Sequence, residues 1–343
     1  MKNILVTGGA GFIGSNFVRF VLKNTEYKVT NFDKLTYAGN LENLIEIESN
    51  PNYKFVKGDI CDSAAVEKTM VQNDIDTIVN FAAESHVDRS ILGSKDFIIT
   101  NVLGTQTLLD VFKKLGGERF LQVSTDEVYG SLPEDMPELK FTEETPVTTN
   151  SPYSASKAGA DLLCNAYYHT HGLPVLITRC SNNYGPYQFP EKLIPLMIVK
   201  AMNDEHLPVY GDGKNIRDWL YVDDHCSAIL AVLERGNPGE VYNIGGNNEW
   251  FNIDIVKLIL EKLGRSQELI TYVKDRPGHD RRYAIDSAKI TRELGWEPAY
   301  RFPEGIEHTI KWYQENEDWW RKVMSGEYEK YYKENYSSKE THH

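Results

Sequence analysis

Short apolar runs recur along the chain, and each stops at a polar cluster. Ile4–Val6 precedes Thr7-Gly8, Val29–Phe32 precedes Asp33, and Phe55-Val56 precedes Gly58-Asp59. Ile78–Ala83 stops at Glu84-Ser85-His86, Phe120–Val123 at Ser124-Thr125-Asp126-Glu127, and Val175–Ile177 at Thr178-Arg179. Runs this short, bounded by turn residues, predict buried strands. Between them lie helical patterns, clearest where Leu108, Val111, Phe112 and Leu115 recur at three- and four-residue steps before Gly116-Gly117. Strands alternating with helices predict βαβ units and a doubly wound parallel sheet of the α/β class. Ligands bind such sheets beyond the carboxyl ends of the strands, where these polar clusters fall.

The alternation loosens after about residue 180. Ser131–Asn150, rich in Pro, Glu and Thr, reads as a long loop beside the sheet edge, and its role as a lid stays open. Later pieces are a helix over Leu193–Met202, the stretch Asp218–Glu234, Tyr242–Gly246, and a helix near Asp254–Leu263. A last helix is expected over about Pro303–Val323, with Ile306, Ile310 and Tyr313 on one face. A second, smaller mixed α/β domain fits this half.

At 343 residues, the usual ~150 residues per domain also gives about two domains. Hydrophobic content of 41% and charged content of 25% exclude wholesale disorder. No run approaches the ~18 apolar residues of a membrane span. Lys+Arg 37 against Asp+Glu 50 leaves a net charge of −13, which disfavours nucleic acid as a partner. Cys61, Cys164, Cys180 and Cys226 lie far apart without a C-x-x-C pair, so neither a disulfide framework nor a zinc site is expected. His169 and His171 are badly spaced for one helical metal face, and no metal is expected there. Met1–Val6 runs into glycines without an apolar h-region, which predicts no signal peptide and a cytoplasmic location.

Thr7-Gly8-Gly9-Ala10-Gly11-Phe12-Ile13-Gly14 follows the first strand and opens the first helix. Gly8 allows the tight turn, Gly11 lets backbone approach a pyrophosphate, and Gly14 lets helix and strand pack closely. The helix N-terminus adds N–H donors and positive dipole for the phosphates. Asp33 ends the next strand, where a carboxylate holds a ribose 2′-OH and repels a 2′-phosphate, so NAD is expected rather than NADP. Lys34, Leu35 and Thr36 follow it in the same site, and Asp59-Ile60 ends the third strand beside the adenine. The sheet is then of Rossmann type. The expected division puts 1–179 and about 217–246 in the NAD-binding domain, and about 180–216 with 247–330 in the substrate domain. Residues 331–343 are left as a charged tail.

Ser151-Pro152 is a helix start, and it places Tyr153 and Lys157 on one face. A tyrosine with pKa ~10 is a poor base at neutral pH until a cation stabilises its phenolate. Lys157 stands where it does that while reaching the cofactor ribose. On these motifs the chain resembles the extended short-chain dehydrogenase/reductase family over nearly its whole length. The resemblance implies that Tyr153 takes a proton from a substrate hydroxyl while hydride passes to NAD+.

Alcohol oxidation does not explain Asp126-Glu127 at the end of a strand. Oxidising C4 of a hexose acidifies the C5–H. A carboxylate then removes that proton, a carboxylic acid protonates the departing C6 hydroxyl, and hydride returns to C6. The two carboxyls need opposite protonation states. Four stretches, Phe81–Ser90, Ser124–Gly130, Arg179–Pro186 and Asp275–Asp280, are similar to the nucleotide-sugar dehydratases of the family. The similarity implies Asp126 as acid, Glu127 as base at C5, and Thr125 as donor to the C4 oxygen. It also implies cofactor contacts from Phe81, Ala82, Ala83, Thr100 and Asn183, and sugar contacts from Ser85 and Asn182. A homodimer pairing the Val102–Leu115 and Tyr153–His169 helices is implied as well, although their apolar faces suit the sheet equally.

An anionic nucleotide sugar needs converging cations. Lys192, Arg217, Arg276 and Arg282 all fall in the second half. By resemblance, Lys192, Leu193, Pro208, Val209, Tyr210, Arg217, Asn252 and the turn Asp275-Arg276-Pro277-Gly278-His279 hold the nucleotide and its diphosphate. Residue chemistry does not separate thymine from uracil; dTDP-glucose as substrate is implied by the resemblance alone. A 4-epimerase shares the oxidation but has no use for Asp126-Glu127. A non-catalytic NAD sensor would not need the Tyr153/Lys157 pair.

Overall fold

The computed structural model describes residues 2–275 and 279–324. Seven parallel strands form the main sheet: β1 (Asn3–Thr7), β2 (Lys28–Asp33), β3 (Tyr53–Lys57), β4 (Thr77–Asn80), β5 (Arg119–Thr125), β6 (Val175–Cys180) and β10 (Val241–Ile244). Their spatial order is β10-β6-β5-β4-β1-β2-β3. Ile4, Leu5 and Val6 are fully buried, as continuous apolar strands must be when helices cover both faces. Chain order reverses between β1 and β4, and the crevice opens beyond their carboxyl ends.

The smaller part carries two short sheets. β7 (Asn182–Tyr184) pairs in parallel with β9 (Ile216–Tyr221), which pairs antiparallel with β11 (Glu249–Phe251). β8 (Leu207–Tyr210) pairs in parallel with β12 (Ile270–Val273). Of the 217–246 stretch, the Val222–Arg235 helix and β10 pack with the large sheet, whereas β9 lies in the three-stranded one. The core of this half joins Tyr184, Ile194, Trp219, Ile255 and Phe302.

The single last helix expected over Pro303–Val323 is two helices, Phe302–Glu315 and Glu317–Met324. At the break, the Asn316 carbonyl accepts the backbone N–H groups of Trp319 and Trp320 at 3.2 and 3.3 Å, starting the second helix. The turn buries both indoles. Ile306, Ile310 and Tyr313 do share one buried face. The 331–343 tail lies outside the described residues.

The helix expected from Val102 begins earlier, because a π-helical segment over Ile98–Gly104 joins the Lys95–Phe97 turn to Thr105–Leu115. Segments of this kind often re-aim side chains at functional sites. Here the Asn101 amide donates to the Glu84 carbonyl at 3.0 Å and to Ser156 Oγ at 2.8 Å, which ties the end of β4 to the Pro152–His171 helix.

The 131–150 loop is pinned rather than loose. Arg282 donates to the Leu139 carbonyl at 2.8 Å and the Pro137 carbonyl at 2.7 Å, and it pairs with Glu249 at 2.8 Å. Arg282 therefore serves this loop and is not among the cavity-lining cations.

Candidate active site

A cavity of about 770 Å³ runs from the glycine turn to the smaller part. At its first end Gly11 caps the Phe12–Asn24 helix without a side-chain hydrogen bond. The N–H groups of that first turn have no intrahelical partner, and Gly11, Phe12, Ile13 and Gly14 line the cavity. Gly8 has φ +68, and a Cβ there would lie 2.6 Å from the Ala82 nitrogen. At Gly14 a Cβ would strike the Gly8 carbonyl, while at Gly11 the nearest atoms are 3.3 and 4.0 Å away. Only Gly11 is open for a phosphate to approach closely. The turn fits a dinucleotide pyrophosphate.

Asp33 accepts the Ala10 N–H at 2.9 Å and the Leu35 N–H at 2.7 Å, and burial pushes its carboxyl up. Lys34 Nζ meets Asp59 at 2.7 Å. Burial raises the Asp59 carboxyl, but the Lys34 ammonium and the hydrogen bonds from Cys61 together outweigh it and the net direction is down. Asp33, Lys34, Thr36, Asp59, Ile60, Phe81, Ala82, Ala83, Thr100 and Asn183 all line the cavity. Leu35 does not; its side chain packs on the main core. A left-handed backbone at φ +58 turns the chain there.

Thr125, Asp126, Glu127, Tyr153 and Lys157 converge at the middle. The Thr125 hydroxyl accepts the Glu127 N–H at 3.3 Å and donates to Asp126 Oδ1 at 3.4 Å. Burial pushes the Asp126 carboxyl well above its ordinary value; Glu127 and Asp218 add to this and Arg217 opposes it. The shift favours the protonated form of Asp126. Burial and the Glu127 charge push the Tyr153 phenol up, while its hydrogen bond with Thr125 pulls the other way. Lys157 is buried and donates to the Val123 carbonyl at 2.7 Å. Burial lowers its ammonium, and Asp161, one helical turn on, opposes that. Asp161 is itself paired with Arg179 at 2.9 Å.

The far end holds Ser85, Asn182, Lys192, Leu193, Pro208, Val209, Tyr210, Arg217, Asn252 and His279. Lys192 donates to the Ser85 carbonyl at 3.2 Å. Arg217 donates to the Asp280 carbonyl at 2.8 Å and lies 4.3 Å over the Tyr283 ring. Asp275 is not part of the wall; its carboxylate holds His279 at 2.6 Å, and His279 meets Tyr210 edge-on at 6.1 Å. Arg276, Pro277 and Gly278 lie outside the described residues.

Several cavity residues escaped the sequence reading. Glu191 lies beside Lys192, and its carboxylate meets Tyr37 at 3.4 Å and His86 at 3.7 Å. Asn43 and Trp319 come from segments with no motif. Behind the wall, His225 Nδ1 is 2.8 Å from Asn183 Oδ1. Burial takes His225 down to about 3, so it is neutral, and its Nδ1 faces the amide oxygen. A lone buried histidine in a helix carries no sequence signal for such a role.

Fold and site together define a class: an NAD-dependent enzyme of the extended short-chain dehydrogenase/reductase type, with a Tyr/Lys pair beside the carboxyl end of β5. Residues 5–309 match the family model described as GDP-mannose 4,6 dehydratase, and the chain belongs to that family. A dTDP-glucose 4,6-dehydratase of Xanthomonas campestris pv. campestris (strain B100) is 56% identical, aligning 96% of this chain with 97% of its own. One from Escherichia coli is 53% identical over 95% of this chain and 97% of its own. The crystal structure of dTDP-glucose 4,6-dehydratase from Bacillus anthracis str. Ames in complex with NAD superposes with a TM-score of 0.89. It is 55% identical and covers 94% of this chain and all of that one (100%). Among the described residues no helix is long and apolar enough to cross a membrane.

Proposed function

We propose that this chain converts dTDP-glucose to dTDP-4-keto-6-deoxyglucose and water. The observation that carries the reading is the placing of two adjacent carboxyls, Asp126 and Glu127, in one cavity with Tyr153 and Lys157. An epimerase needs the second pair but not the first. NAD, held by the glycine turn and Asp33, supplies reversible hydride acceptance when bound.

Tyr153 takes the proton of the C4 hydroxyl, with Thr125 donating a hydrogen bond to the C4 oxygen. Before that transfer the Lys157 ammonium supports the phenolate form of Tyr153, and the transfer leaves a neutral phenol. The C4 ketone acidifies the C5–H, and Glu127 removes that proton. The C6–O bond breaks as Asp126 delivers its proton, so hydroxyl leaves as water and a C5–C6 double bond remains until C6 is reduced and Glu127 returns a proton to C5. Asp126 suits the acid role because burial raises its carboxyl well above the ordinary value, which favours the protonated form. Ser85 and Asn182 bind the sugar, Lys192 and Arg217 the diphosphate, and Tyr210 lies beside the base.

A homodimer is part of the proposal. Ile98 (49% exposed), Leu103 (47%) and Leu162 (61%) lie exposed on neighbouring helices, which supports a second copy there. Light scattering of a monomer at micromolar concentration would remove that part. Four unpaired cysteines support a cytoplasmic location. The functional reading is tested by mass spectra of reactions with a panel of nucleotide-hexoses: dTDP-glucose should give a product one water lighter. A product of unchanged mass favours epimerisation.

A further inference from the structure

The Glu317–Met324 helix carries Trp319 to the glycine-turn end of the cavity. Its indole N–H donates to Asn43 Oδ1 at 2.9 Å. The Asn43 amide donates to the Ala10 carbonyl at 3.0 Å, and the Ala10 N–H donates to Asp33 Oδ2 at 2.9 Å. Trp319, Asn43, Ala10 and Asp33 thus form one unbroken line of hydrogen bonds, from the smaller half of the molecule to the dinucleotide turn. Trp319 and Asn43 are both buried, and both line the cavity.

The anchor behind Trp319 is rigid. Its ring packs edge-on against Trp312 at 5.0 Å and Tyr187 at 5.8 Å. Arg19, from the first helix of the large domain, lies 3.7 Å over Tyr187 and donates to the Asn43 carbonyl. None of these groups is among Thr125, Asp126, Glu127, Tyr153 and Lys157, to which the chemistry is assigned. Their position is where the smaller half meets the glycine turn.

We propose that Trp319 and Asn43 form a latch that fixes the glycine turn from the smaller half and retains the dinucleotide between turnovers. This rests on the reading that NAD is reduced and reoxidised within one cycle. A cofactor regenerated in place need not leave, so slow release costs such an enzyme nothing. Both are positioning residues: they act on the turn and leave the chemistry to others.

The test uses the full-length holoenzyme and reads NAD release, by chasing bound labelled NAD with excess unlabelled NAD. Trp319→Phe keeps the ring but loses the N–H; Asn43→Asp keeps an acceptor for the indole but loses the donor to Ala10. Each variant should release NAD on the order of 10-fold faster, as loss of one buried hydrogen bond implies. The KM for NAD+ should rise, while kcat at saturating NAD+ and the KM for the sugar nucleotide stay at wild-type values. Release at the wild-type rate from either folded variant would overturn the latch. If the wild type releases no dehydrated sugar, the functional reading fails instead, and the comparison of release rates still decides the latch.

Discussion

Asp126 and Glu127 are consecutive in the chain yet stand in unlike surroundings. Asp126 is 2% exposed, with Oδ2 lacking a hydrogen-bond partner among the described residues, whereas Glu127 is half-buried. The short 3-10 turn Asp126–Tyr129 separates the side chains, and the Thr125 hydroxyl caps it. Burial raises the Asp126 carboxyl well above its ordinary value, and the Glu127 charge raises it further. Elimination of water across two ring carbons requires that division of labour.

Changing Glu127→Gln should leave the first oxidation working and stall the elimination. Reduced cofactor should accumulate on mixing with dTDP-glucose, read as absorbance near 340 nm, with dehydration slowed ~10²–10⁴-fold. Full-rate dehydration by this variant would reject Glu127 as the base at C5.

Changing Tyr153→Phe should block the step before that. Cofactor reduction should fall ~10²–10⁴-fold, with the sugar nucleotide still bound at near wild-type affinity, measured by calorimetry. Reduction at the wild-type rate would contradict its role as base.

Asp126 also makes a prediction about stability. Its folded carboxyl is held well above the unfolded value of 3.8, so between those two values the folded state binds more protons than the unfolded one. The contribution is fully present below about pH 4 and is lost as pH rises through the folded value. Asp126→Asn should abolish that loss. The variant should melt progressively higher than wild type as pH rises above about 4, until the folded value is passed, while dehydration slows. Parallel melting curves across this range would show that Asp126 is not held protonated.

Arg282→Ala should destabilise the protein by about 2–4 kcal/mol, because Glu249 and three loop carbonyls lose their donor together. Urea unfolding measures this, and the 131–150 loop should become the first site of protease cleavage. A wild-type midpoint and cleavage pattern would contradict the pinned loop.

The large sheet was legible because its strands are continuous apolar runs, each ending in polar residues that face the crevice. The glycine turn, Asp33 and the Tyr153–Lys157 pair were legible because their spacing along one element fixes their geometry. What escaped depends on distant parts of the chain. Periodicity does not say which sheet a strand joins, so Ile216–Tyr221 could not be assigned to Asn182–Tyr184 and Glu249–Phe251. The break at Asn316 leaves an amphipathic pattern nearly intact, and it decides where Trp319 lands. Arg282 looked like any phosphate-binding cation until its carbonyl partners were seen. His225 is silent in sequence because its hydrogen-bond partner Asn183 is brought to it by the fold.

Proton NMR of the product formed from dTDP-glucose in deuterium oxide tests the central chemistry most directly. If a ketone at C4 loosens the C5–H for Glu127 and Asp126 expels the hydroxyl, the 4-keto-6-deoxy product carries solvent deuterium at C5. A dehydrated product that keeps its original hydrogen at C5 would contradict this.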